Sequence, residues 1–79
     1  MLDDEILKWQ FKCGSRDALA RIYTKYADPM LTLAMGLLND AHAAEDVVQD
    51  VFTAFARSAN GFGLHGSLKA YLTTAVVNL

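Results

Sequence analysis

The sequence predicts an all-α fold, a small bundle of four helices with the second kinked near Pro29. Three observations predict it. Apolar residues recur at three- and four-residue intervals along nearly the whole chain; no stretch shows the strict alternation of a half-buried strand; and turn-forming residues gather at Gly14-Ser15, Asn39-Asp40 and 59–66. With 79 residues, 53% of them hydrophobic and 20% charged, the chain is too apolar for disorder and long enough for one domain, 1–79. A domain this short buries a modest share of its surface, so its margin of stability is small.

The first helix runs from about Asp3 to Lys12. Its acidic opening Asp3-Asp4-Glu5 suits the positive end of a helix dipole, and Gly14 lies just beyond its end. Ser15 reads as the N-cap of the second helix, which carries Leu19, Ile22, Tyr23 and Tyr26 on one stripe and resumes after Asp28-Pro29 with Leu31, Ala34, Met35 and Leu38. Proline lacks the N–H that an interior turn needs, so Pro29 is expected to kink or restart this helix. Asn39-Asp40 supplies a turn and a cap. The third helix then extends to about Ser58, with Ala44, Val47, Val48, Val51, Phe52 and Phe55 as its core stripe. Three glycines in the stretch 61–66 place a loop after this helix; Ser67 caps a fourth helix whose stripe is Leu68, Tyr71, Leu72, Ala75, Val76 and Leu79. That stripe is cut off at Leu79, which leads us to expect that the natural helix continues.

Composition narrows the function classes. A lone Cys13 forms no internal disulfide, and with only His42 and His65 beside it a structural zinc site is not expected; the setting is a reducing cytoplasm. No run of residues approaches a membrane span, and the acidic N-terminus is wrong for a secretory signal. Net charge is −2, too low for a protein that grips nucleic acid by bulk electrostatics. The distribution says more than the sum. All nine acidic residues lie at or before Asp50, while 51–79 carries only Arg57 and Lys69. One end can face a basic protein and the other an anion. Trp9, Phe11, Phe52 and Phe55 stand at helical spacing and read as core rather than as a cofactor box, and no cofactor is expected. No glycine-rich phosphate motif, ligand cluster or nucleophile–base pairing points to an enzyme.

The third helix, Ala44-Glu45-Asp46-Val47-Val48-Gln49-Asp50-Val51-Phe52, resembles the AEDxxQExF signature of region 2 in extracytoplasmic-function sigma factors. Upstream, Gly14-Ser15-Arg16-Asp17-Ala18-Leu19 with Ile22, Tyr23 and Tyr26 is similar to the family's GD..A...LY..Y opening. Downstream, Phe62 and Gly66 to Leu72, ending Val76-Val77-Asn78, is similar to its F.....F..WL...A.N block. Tyr71 stands where the family usually has tryptophan, and Thr74 where an arginine is common, which removes one phosphate contact from the pattern.

The resemblance implies a transcription initiation domain that docks on core RNA polymerase and recognises and melts the promoter −10 element. At about 100° per residue, Glu45, Asp46, Gln49, Asp50 and Thr53 fall opposite the apolar stripe of the third helix. By composition alone that is also an ordinary solvated face near a helix start. In the family this helix docks on the basic coiled coil of the polymerase's largest subunit, where carboxylates pair with arginine. For promoter DNA the resemblance points to His65, Ser67, Lys69, Thr73 and Asn78, around the pocket for an extruded base. Read alone, Asn78 is a helix-end residue, and His65 is equally a solvated loop histidine. The face of Ala70, Thr73, Thr74 and Val77 is small and uncharged, as close approach to a nucleic-acid backbone requires. The family's second domain, for the −35 element, is absent from the sequence. The alternative reading is a helical interaction module that captures a regulator of the anti-sigma type without productive DNA contact.

Overall fold

A computed structural model describes residues 2–58 and 66–78. They form four helices: α1 (Leu2–Lys12), α2 (Arg16–Leu38), α3 (Ala41–Arg57) and α4 (Leu68–Asn78). The all-α expectation holds, and every expected turn among these residues is closed by the groups the sequence offers. α1 ends in a left-handed glycine, Gly14, at φ +93°; the Gly14 N–H donates to the Phe11 carbonyl at 2.9 Å and the Ser15 N–H to the Gln10 carbonyl at 3.0 Å. This pair of bonds is a Schellman ending. Ser15 then caps α2 by accepting the Ala18 N–H at 3.0 Å, and Asp40 caps α3 by accepting the Ala43 N–H at 3.1 Å. Between them Asn39 takes the left-handed conformation, φ 53°, and its backbone N–H donates to the Met35 carbonyl at 2.8 Å.

α2 does not restart at Pro29. It is one helix of 23 residues with the proline inside it. The ring removes the hydrogen bond that residue 29 would make to the Lys25 carbonyl. Pro29 and Lys25 are both exposed residues.

α2 packs against all three other helices, and α4 also rests on α3. Its buried line is Ala18, Ile22, Tyr26, Met30 and Ala34, at steps of four residues. The expected stripe is therefore corrected in part: Met30 enters the core, Leu31 is half-buried, and Tyr23, Met35 and Leu38 are exposed. A ridge of i, i+4 neighbours is what fits the groove of a facing helix. α4 follows the same rule with Leu68, Leu72 and Val76. The core closes around Phe55, whose ring stacks on Phe11 and is tilted against Tyr71. Trp9 is not core. It lies on the side of α1 opposite Leu7 and Phe11 and is 62% exposed.

Two charged residues of α1 are buried, Asp4 and Lys8. Asp4 accepts hydrogen bonds from the Lys25 ammonium and the Tyr26 hydroxyl. Burial by itself would raise the Asp4 carboxyl, but the two hydrogen bonds and the nearby positive charge outweigh it and hold the group below its ordinary value. Burial also pushes the Tyr26 phenol up, and with its bond to the carboxylate it reaches about 12.

Candidate functional site

The functional side chains expected on α3 share one exposed face. Ala44, Val48, Val51, Phe52 and Phe55 are buried, and Glu45, Asp46, Gln49, Asp50 and Thr53 are all exposed. The Asp40 cap fixes where the helix begins, and the buried stripe fixes which residues face outward. Among the described residues, no ion pair engages Glu45, Asp46 or Asp50; the acidic side chains that are paired, Asp3, Asp4, Glu5 and Asp17, belong to α1 and the start of α2. The face therefore keeps three carboxylates available to an incoming cation.

Gln49 is held. Its Nε2 donates to the Tyr23 hydroxyl at 2.9 Å, and the Tyr23 ring meets Phe52 edge-on, with centroids 4.9 Å apart. This link crosses a shallow furrow between α2 and α3. On one side the furrow is lined by Arg16, Leu19, Thr53 and Phe52, on the other by Asp28, Leu31, Glu45 and Asp46. Tyr23 belongs to this surface although its spacing read as core. No sequence signal separates it from Tyr26, since both phenol oxygens bond a polar side chain on a neighbouring helix, Gln49 of α3 for Tyr23 and Asp4 of α1 for Tyr26.

The second surface is the start and outer side of α4. Gly66 has φ +74°, and Ser67 follows as the cap, accepting the Ala70 N–H at 3.0 Å. Gly66, Ser67, Ala70, Tyr71, Thr74 and Ala75 line a shallow groove, which takes in Ala70 and Thr74 of the small uncharged face but not Thr73 or Val77. Lys69 and Asn78 are exposed and Thr73 is half-buried. These residues are not one cluster. Lys69 and Thr73 lie on one border of the exposed face and Asn78 on the other, about 14 Å further along the axis at about 1.5 Å rise per residue. His65 and Phe62 lie outside the described residues, as does Leu79.

Lys8 joins this surface from a distance in sequence. Its Nζ donates to the Gly66 carbonyl at 2.7 Å and pairs with Glu5 at 2.9 Å, with its side chain only 3% exposed. No group of side chains able to hold a metal ion occurs among the described residues, and none of their helices is long and apolar enough to cross a membrane.

The sequence profile of the family described as Sigma-70 region 2 matches residues 22–79. The chain belongs to the sigma-70 region 2 family. The match takes in α3, α4 and most of α2, and leaves α1 and the Gly14 to Leu19 block outside it. The region 2 domain is also similar to the ECF RNA polymerase sigma factor SigW of Bacillus subtilis (strain 168), with 30% identity over 70 residues, 89% of this chain and 37% of that protein. The chain thus spans little more than a third of that relative's length. No solved structure gives a significant match.

Proposed function

We propose that this region 2 domain acts in transcription initiation by docking on core RNA polymerase through α3 and offering the start and outer face of α4 to the −10 element of promoter DNA. The observation that carries the reading is the outward face of α3, where Glu45, Asp46 and Asp50 are exposed and unpaired among the described residues. Three carboxylates around a pre-oriented Gln49 form a surface complementary to the basic coiled coil of the polymerase's largest subunit, with Thr53 extending it by one turn. Tyr23 fixes the Gln49 amide before docking, so less side-chain freedom is lost on binding.

Docking also accounts for the low net charge. A module delivered by a protein partner needs little intrinsic affinity for phosphate, because the complex raises its local concentration at the promoter. Sequence is then read by Asn78, whose amide donates to and accepts from a base edge, and by the groove of small residues, with Lys69 on a phosphate and His65, Ser67 and Thr73 around the extruded base. The chain makes and breaks no bonds; opening is driven by binding energy. The place of action is the cytoplasm.

The test is binding of the chain to the isolated coiled-coil fragment of the largest subunit, with Asp50→Lys and Gln49→Ala alongside. Wild type binds, Asp50→Lys loses at least tenfold in affinity with its helical content intact, and Gln49→Ala loses less. Absence of wild-type binding removes the docking role and leaves capture of an anti-sigma regulator as the better description.

A further inference from the structure

We propose that Lys8 is a positioning residue for DNA capture: its buried ammonium holds the carbonyl of Gly66 and so sets the entrance to α4. This rests on the reading of α4 as the DNA-facing surface. Lys8 is 58 residues from Gly66 in sequence, and its Nζ lies 2.7 Å from that carbonyl oxygen. Gly66 is the first described residue of the groove and sits in a left-handed turn directly before the Ser67 cap. A displacement of the Gly66 carbonyl therefore moves the cap, the first turn of α4 and Lys69 together.

A lysine 3% exposed is an expensive way to fill a helix face. An apolar side chain of equal length would pack there at no cost in desolvation, and replacing buried ionic contacts by apolar groups is often neutral or stabilising. What the ammonium adds over such a side chain is direction. It has two acceptors, Glu5 Oε1 at 2.9 Å and the Gly66 carbonyl, and Glu5 is itself 61% exposed. Glu5 balances the charge from the solvent side, and the carbonyl fixes where α4 begins. The profile match begins at residue 22, so this contribution comes from a helix outside the matched segment.

The experiment uses the whole chain bound to the coiled-coil fragment, with a single-stranded oligonucleotide enriched on the wild-type complex from a short randomised DNA pool. Lys8→Met keeps the length and the apolar stem and removes the donors; Lys8→Arg keeps a donor. The expected result is that Lys8→Met melts within a few degrees of wild type and docks with unchanged affinity, yet captures the oligonucleotide at least tenfold more weakly. Lys8→Arg recovers most of that loss. Backbone amides of residues 67–71 exchange faster in Lys8→Met while those of α3 do not. Equal capture by wild type and Lys8→Met overturns the proposal, as does a parallel loss of docking and capture, or Lys8→Arg behaving like Lys8→Met. If the wild-type complex enriches no oligonucleotide, the DNA-facing reading of α4 falls, and this proposal with it.

Discussion

The Phe11 ring lies flat on the Phe55 ring, with centroids 4.3 Å apart and planes 13° from parallel, and so fastens α1 to α3 although the two helices are joined only through α2. Phe55 is fully buried and its ring also meets Tyr71 of α4, with centroids 5.5 Å apart. One side chain thus holds three helices. Phe55→Ala is expected to cost about 3–5 kcal/mol, the usual range for emptying a buried aromatic site. At about 0.05–0.15 kcal/mol per residue a domain of 79 residues has about 4–12 kcal/mol in all, so the change removes a large share of it. Loss of cooperative thermal unfolding by far-ultraviolet circular dichroism checks it; a variant that melts within a few degrees of wild type contradicts it.

The Asp4, Lys25 and Tyr26 cluster makes stability depend on pH at both extremes. The Asp4 carboxyl lies below its ordinary value of 3.8 when folded, so its contribution is present above that value and is lost as pH falls through the lower one. Tyr26 has the opposite sign. Its phenol is raised from 10.0 to about 12, so its contribution is complete below 10 and is lost as pH rises towards 12. Urea midpoints for wild type are expected to hold level through neutral pH and fall on both limbs. Tyr26→Phe should have a flatter alkaline limb, and Asp4→Asn a flatter acid limb with a lower plateau, since it leaves the Tyr26 hydroxyl and Lys25 without their carboxylate. An alkaline limb identical in wild type and Tyr26→Phe refutes the assignment.

That cluster also shows what the sequence could and could not reveal. Helix ends depend on groups within four residues of one another, which is why the caps at Ser15, Asp40 and Ser67 and the turn at Gly14 were legible. The outward face of α3 was legible for the same reason, because its core stripe is dense enough to fix the register. Asp4 and Lys8 were not. Asp4 looks like any acidic residue in a first helical turn, and Lys8 like a solvated lysine; their partners are Lys25, Tyr26 and Gly66, at separations of 21, 22 and 58 residues. Trp9 misled in the other direction, since an aromatic at helical spacing carries no mark of which face it occupies until Leu7 and Phe11 have claimed the inward one. Met30 was hidden by Pro29, whose position suggested a break in a stripe that in fact runs on in steps of four.

Pro29 inside α2 is a removable defect. Proline in a helix interior costs about 3 kcal/mol relative to alanine, partly offset because proline also restricts the unfolded chain. Pro29→Ala restores an N–H to the Lys25 carbonyl at an exposed site. It is expected to raise stability by about 1 kcal/mol or more, read as a higher urea midpoint at unchanged slope. A lower midpoint means that the proline sets a bend on which α2 packing depends.

Lys69 and Asn78 lie on different borders of α4, so the proposed DNA contact divides into two separable effects. Lys69 is the only cation described on α4, and one phosphate neutralised on a single strand gives a slope of about −0.7 in log affinity against log salt. Lys69→Gln is expected to weaken capture of every oligonucleotide alike and to flatten the slope by about 0.7. Asn78→Ala should leave the slope unchanged and instead erase a preference of about 1–3 kcal/mol for one base over the others. Titrating both variants across a salt series, on the enriched oligonucleotide and on its single-base substitutions, distinguishes them. If Asn78→Ala lowers affinity equally for all substitutions, the amide does not read a base, and the specificity of α4 must come from the groove of small residues.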